Sequence, residues 1–215
     1  MIVEVAHPNI SKSHGARFLA RANYMIGSPT ALADRELEAS LREEAARATG
    51  FGLYVPVGAL WGAQDIRKMA DRGTLKGLTV TMKKAPHHMK LDPPLDAKVA
   101  EAEAFQGETV IFTGSVRDLC PLAPNNVNTM AAAAIAGHTL GLDKTRAVLV
   151  ADPRLEKHVI VVEVEGPGEE GNKFRVETTR SNPAAKGAVT GAATFASFLS
   201  SMVLAHDQGN GVFLC

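Results

Sequence analysis

The chain predicts an α/β fold in which part of a parallel sheet with crossover helices is followed by an α+β region, a mixed or antiparallel sheet covered by helices. Three observations carry this. Strand-like and helix-like segments alternate over residues 2–57, which is the pattern of a parallel sheet. Beyond Arg72 the chain turns to segments of alternating apolar and polar character, the period of half-buried strands. Two stretches rich in small apolar residues, 128–137 and 187–205, have the length and composition of covering helices.

Ile2–Ala6 (IVEVA) reads as the first strand, closed by His7-Pro8. Ser13 to Ala22 is helical by period, Tyr24–Gly27 is a short strand stopped by Ser28-Pro29, and Leu32 to Ala48 carries charges at helical spacing. Leu53–Val57 is the third strand. In such a sheet ligands gather at the carboxyl ends of the strands, so the loops at Ala6–Asn9, Ser28–Ala31 and Gly58–Gly62 share one edge. Asp65–Arg72 suits a short helix. The later strands are expected at Leu78–Lys83, Thr109–Gly114, Arg146–Val150, Val159–Glu165 and Lys173–Thr178. The Pro-flanked stretch Lys83 to Pro94 reads as a mobile surface loop and Gly166 to Gly171 as a hairpin connection.

The 215 residues carry 23 basic and 23 acidic side chains, so the formal net charge is zero. No whole-chain field favours nucleic acid or an anionic membrane, and a small-molecule substrate is the expected partner. No apolar run approaches the roughly 20 residues of a membrane helix, and the opening MIVEVAHPN lacks a charged region followed by a long apolar one. Cys120 and Cys215 have neither CxxC spacing nor a disulfide-rich context, which fits a reducing, cytoplasmic setting with Cys120 simply packed.

Chemistry is concentrated in a few places. PNNVNTMAAAA, residues 124–134, runs an Asn-rich turn into an alanine-dense helix whose first N–H groups are free, a start suited to a carboxamide, phosphate or carboxylate. Asn128 is expected to cap the helix and Asn126 to face a ligand, although an ordinary capped helix explains the same residues. No GxGxxG follows a strand, so the chain shows no self-sufficient pyrophosphate cradle. Among seven histidines, His87-His88 has no completed metal-ligand spacing and reads as solvated, with no metal expected. His14, His138 and His206 suit surface or capping roles. His7 stands at a strand end, as a turn residue or beside a ligand. His158 opens a strand from which its ring faces either the domain cleft or solvent.

Taken together, VEVAHP, GSPTAL, VGALWGAQD, PNNVNTMAAAA, VADP and NPAAKGAVTGAAT follow the order and approximate spacing of the L-aspartate dehydrogenases, and GALWGAQDIR, NTMAAAA and the final FLC resemble their animal branch most. The resemblance implies an NAD(P)-dependent oxidation of L-aspartate through iminoaspartate to oxaloacetate and ammonia, in a homodimer. It implies a Rossmann domain of which residues 1–62 are the carboxyl-terminal half, since family members carry the glycine fingerprint before the strand matching Ile2–Ala6. Residues 63–186 correspond to an α+β substrate and dimerisation domain, and 187–215 to a helix and tail packing on both. Cofactor contacts, to NAD or NADP, transfer to Ala59 and Asn128. The catalytic histidine of the family's N-V-H-E-x-E-V-E-G pattern transfers to Ile160 by ungapped count and to His158 as the nearest histidine, two residues away on the same strand face. Arg117, Lys83 and Lys186 are candidates for the substrate carboxylates. Two alternatives stay open: a non-catalytic dimerisation or regulatory subunit, and a dehydrogenase of another amino or keto acid.

Overall fold

The computed structural model describes residues 1–47, 50–185, 187–191, 193–205 and 208–215. The expected alternation appears as β1 (Ile2–Glu4), α1 (Pro8–Leu19), β2 (Tyr24–Ile26), α2 (Arg35–Ala46) and β3 (Gly52–Val55), with β1, β2 and β3 parallel and in that order. Helix α1 starts earlier than the apolar period indicates. Pro8 in its first turn has φ preset for a helix, and His7 Nδ1 accepts from Asn9 N at 3.2 Å, which makes His7 the N-cap. Helix α2 starts later than expected: Pro29–Ala33 forms a 3₁₀ turn, and Asp34 then caps α2 by accepting from Glu36 N and Leu37 N, both at 3.1 Å. Ala48, the expected end of that helix, lies outside the described residues.

Next come α3 (Ala63–Asp71), β4 (Gly77–Lys84), α4 (Leu95–Phe105), β5 (Thr109–Ser115), α5 (Val116–Leu119), α6 (Asn128–Ala136), α7 (Gly141–Lys144), β6 (Arg146–Ala151), β7 (Lys157–Glu165) and β8 (Arg175–Pro183). The five strands form one mixed sheet in the order β5-β6-β4-β7-β8, in which only β4 and β6 run parallel. Burial alternates along β4 so that Leu78, Val80, Met82 and Lys84 lie on the covered face. The stretch Lys83 to Pro94 departs from the mobile loop of the sequence reading. Pro86–His88 is a 3₁₀ turn with Pro86 and His88 buried, because His88 is anchored by a bond from its Nδ1 to Ala188 O at 2.9 Å. Gly166 to Gly171 does connect the antiparallel pair β7 and β8.

Helix α6 is buried on every side from Thr129 to Ala136, touching α3, the 29–33 turn, α7, α5 and β4. This explains its run of alanines: a helix with neighbours all round needs small side chains for backbones to come close, and longer ones would overpack it. Tyr24, Ile26, Leu53 and Val55 of the parallel sheet share one continuous core with this helix and the mixed sheet, while Met25 and Tyr54 form a second, small cluster with Ala205.

The stretch expected to be helical from Gly187 is helical only over α8 (Ala193–Leu204), and Val189–Gly191 is irregular. The chain closes with β9 (Gly211–Leu214), which adds to β3 as the fourth parallel strand, and Cys215 continues the ladder through Val57 N→Cys215 O at 2.8 Å. No helix among the described residues is long and apolar enough to cross a membrane.

Candidate active site

The carboxyl ends of β1, β2 and β3 face the amino end of α6 and one end of the mixed sheet. Glu4, the last residue of β1, ties these strand ends together. Its carboxylate accepts from Ala6 N at 2.7 Å, His7 N at 2.8 Å and Ser28 N at 2.9 Å, fixing the two loops that follow β1 and β2. A Cβ at Gly27 would fall 2.2 Å from Glu4 O, so only glycine lets the β2 loop cross this close to β1.

Between these loops and the mixed sheet runs a cleft with two parts. The inner chamber, about 100 Å³, is lined by Gly58, Ala59, Lys84, Asn128, His158 and Asn182 among others. The outer mouth, about 490 Å³, adds Val5, Ala6 and Ser28 from the strand ends and Phe195, Leu199 and Met202 from α8, and shares Gly27, Asn128 and Thr190 with the chamber. Ala59, Asn128 and His158 are therefore brought to one wall-to-wall space. Lys83 and Arg117 are not: Lys83 pairs with Glu108 at 2.9 Å, and the Arg117 guanidinium is occupied by Asp143 and Glu38, both at 2.8 Å, and by Ala33 O. The Arg117 ion pairs line a larger depression of about 750 Å³ on another side, whose charges already satisfy one another. Lys186 and His206 lie outside the described residues.

Strand register explains the chamber's polar row. The antiparallel pairing of β4 and β7 has Lys83 opposite Val159, which sets Lys84 opposite His158 one step further, and His158 pairs with Asn182 on β8. Lys84, His158 and Asn182 are thus neighbours across three strands on the covered face, at 1 %, 3 % and 4 % exposure. Ile160, two residues along, lines the same chamber, so a histidine at either position addresses the same space.

Several of these groups lack partners among the described residues. His158 Nε2, Asn126 Oδ1 and Asn128 Oδ1 are buried without a hydrogen bond. Asn128 is the first residue of α6 rather than its cap; Val127 precedes the helix and supplies no side-chain bond. Its amide is thereby free to serve something in the cleft. Burial pushes the His158 imidazole down to about 4, helped by the Lys84 charge and by His88, whose ring stands edge-on at 4.8 Å. His158 is accordingly neutral at physiological pH, with a free ring nitrogen. Burial likewise pushes the Lys84 ammonium down to about 8. Among the described residues no group of three or more His, Cys, Asp or Glu is placed to hold a metal ion.

A flat carboxamide-bearing ring fits this geometry. Asn128 Oδ1 is an unused acceptor for an amide N–H, and the left-handed Gly58 beside Ala59 leaves open space at φ +58° where a side chain would intrude.

The family described as "Aspartate dehydrogenase, C-terminal" matches residues 65–201, from α3 through α8. The chain belongs to the aspartate dehydrogenase family. It is 54 % identical to the "Aspartate dehydrogenase domain-containing protein" of Xenopus tropicalis over its whole length and 76 % of that protein. It is 30 % identical to the L-aspartate dehydrogenase of Methanococcoides burtonii over 75 % of this chain and 56 % of that one. The solved aspartate dehydrogenase of Thermotoga maritima shares the fold, with a TM-score of 0.67 at 22 % identity over 96 % of this chain and 75 % of the other. Both sheets of this family member accordingly follow an α/β arrangement already known in the family.

Lys84 is one cleft residue, with Asn182, that the sequence did not reveal. The alternation Leu78, Val80, Met82 leads to it, but a lysine breaks the apolar pattern at the position where the strand was taken to end.

Proposed function

We propose that this chain takes part in the NAD(P)-dependent oxidative deamination of L-aspartate, through iminoaspartate, to oxaloacetate and ammonia, with Ala59 and Asn128 facing the cofactor and His158 as the proton acceptor. The observation that carries this is the convergence of two buried, unpartnered polar atoms, Asn128 Oδ1 and His158 Nε2, on one chamber at the carboxyl ends of a parallel sheet. An orphaned buried polar atom costs about 1–3 kcal/mol, so their retention favours a ligand that satisfies them.

Asn128 holds and orients a carboxamide, and the small Ala59 side chain leaves room for a ring to lie against the β3 loop. A bound nicotinamide nucleotide supplies the hydride acceptor for the substrate Cα. Neutral His158 takes a proton from the substrate nitrogen, or from the water that adds to the imine carbon, at its free Nε2. With its pKa near 4, His158 alone is a weak base. Two substrate carboxylates entering the chamber offset the Lys84 charge and raise His158 toward the range where it accepts a proton efficiently. Burial of the row Lys84, His158 and Asn182 excludes bulk water from that transfer.

The test is L-aspartate-dependent formation of NADH or NADPH by the purified chain, with oxaloacetate, ammonia and reduced cofactor supplied for the reverse direction. Turnover with L-aspartate above that with L-glutamate and L-alanine is expected. A folded chain that reduces neither cofactor with any amino acid would overturn the proposal.

A further inference from the structure

We propose that Lys84 Nζ is the cation that pairs with a carboxylate of the substrate, so that the inner chamber is a dicarboxylate site. This rests on the dehydrogenase reading for the identity of the substrate, and its own basis is geometric.

Lys84 stands at the end of β4 at 1 % exposure. Two of its three ammonium donors are used, on Asn126 O at 3.2 Å and Val189 O at 3.1 Å, both neutral backbone acceptors. Among the described residues Lys84 makes no ion pair, whereas the Arg117 guanidinium, also largely enclosed, has Glu38 and Asp143. A lysine at this depth without an anion is rare, because the desolvation of the charge is not repaid. The arrangement becomes economical once an anion arrives in the chamber that Lys84 lines. The two carbonyls come from different parts of the cleft wall, the turn before α6 and the segment before α8, so they fix the ammonium in place and leave its third donor for a ligand.

The row across the sheet gives the pairing its chemical sense. Lys84 is directly across from His158, so an anion on Nζ lies beside the ring whose Nε2 is free. A substrate held by its carboxylate at Lys84 therefore presents its adjacent carbon and nitrogen to His158. Burial first, and the unbalanced Lys84 charge second, hold the His158 ring neutral; an anion on Lys84 removes the second of these and raises the basicity of the ring.

The probe is succinate, which has both carboxylates and no amine to oxidise, titrated calorimetrically into the chain without cofactor. The ionisable groups facing Lys84 are His158 on β7 and His88 of the 86–88 turn, both with pKa values below their ordinary one, so the range from pH 7 to 9 reports the lysine. Binding of the dianion requires the ammonium form. With Lys84 at about 8, succinate affinity falls about tenfold between pH 7 and pH 9. Lys84→Met is expected to weaken succinate by at least about thirtyfold at pH 7 and to abolish the pH dependence, with Lys84→Gln as a second variant and circular dichroism reporting the fold of each. No saturable succinate binding by the wild-type chain, or affinity in the two variants within threefold of it, overturns the assignment. Aspartate turnover with an unchanged KM in Lys84→Met overturns it as well and leaves the dehydrogenase reading standing. Succinate binding that depends on Lys84, in a chain inert toward both cofactors, retains the dicarboxylate site and removes the dehydrogenase.

Discussion

Replacing Lys84 by methionine changes stability in a way whose sign depends on pH. The folded protein holds this amine at about 8, against 10.5 for the exposed group. Between those values the unfolded chain binds the proton more tightly, so folding releases it and stability rises with pH across that window. At pH 7 the burial of the ammonium costs roughly 3 kcal/mol, the 2.5-unit difference at about 1.36 kcal/mol per unit; at pH 10 most of this cost is gone. Methionine has a similar length and no charge, but it leaves Asn126 O and Val189 O without their donor, at about 1 kcal/mol each. The balance makes Lys84→Met about 1 kcal/mol more stable than the wild type at pH 7 and about 1 kcal/mol less stable at pH 10. Urea unfolding of both proteins at the two pH values measures this directly, and other titrations cancel in the difference. A difference between the two proteins that stays constant from pH 7 to pH 10 would refute the burial of a charged amine at this site.

The other groups lead to separate expectations. His158→Gln keeps the row across the sheet but lacks a base, so L-aspartate turnover falls about 10²–10⁴-fold while cofactor affinity by calorimetry stays within about twofold; equal losses in both would assign the residue to structure. Asn128→Leu removes a buried oxygen that has no partner, which raises the thermal midpoint by the equivalent of about 1 kcal/mol and weakens nicotinamide nucleotide binding about tenfold. Unchanged cofactor affinity in that variant would separate Asn128 from the ligand. Glu4→Ala strips the acceptor from three backbone N–H groups and is expected to cost about 3 kcal/mol in urea unfolding, with the loops after β1 and β2 losing hydrogen-exchange protection first.

Much of the architecture is visible in local pattern. The parallel strands β2 and β3 show as short apolar runs bounded by turn residues, because they are buried on both faces, and β4 and β7 of the mixed sheet show as alternating segments, because their covered side chains alternate with the outward ones. Helix α6 is visible because eight of its nine residues must be buried, which writes a run of small apolar side chains into the sequence. Strand β9 is not: Gly211–Leu214 holds only three apolar side chains after the Gly209-Asn210 turn, too few to show a period, and it becomes a strand only by pairing with β3, more than 150 residues earlier. Helix α4 escapes for the opposite reason, since Leu95–Phe105 is made of good helix formers without a marked apolar face. The start of α1 was legible in Pro8 as a first-turn residue, but His7-Pro8 also reads as a turn.

The site was legible in part. His158, Ala59 and Asn128 come together in one cleft, through elements far apart in the chain. Lys84 was hidden because an inward lysine looks like the end of a strand, and Asn182 because Asn-Pro looks like a turn, whereas β8 continues to Pro183. His88 was hidden because two histidines among prolines look solvated, until Ala188 O gives one of them a reason to turn inward. In each case a polar residue occupies a core position, which a pattern of apolar residues does not mark.

Transfer of deuterium from L-[2-²H]aspartate to C4 of the nicotinamide, followed by mass spectrometry of the reduced cofactor, tests the account most directly. The cleft between the two sheets predicts singly deuterated NADH or NADPH, formed at a rate that drops with His158→Gln and with Lys84→Met. Reduced cofactor without deuterium, or none formed by a folded chain that binds both cofactor and dicarboxylate, would contradict hydride transfer in this cleft.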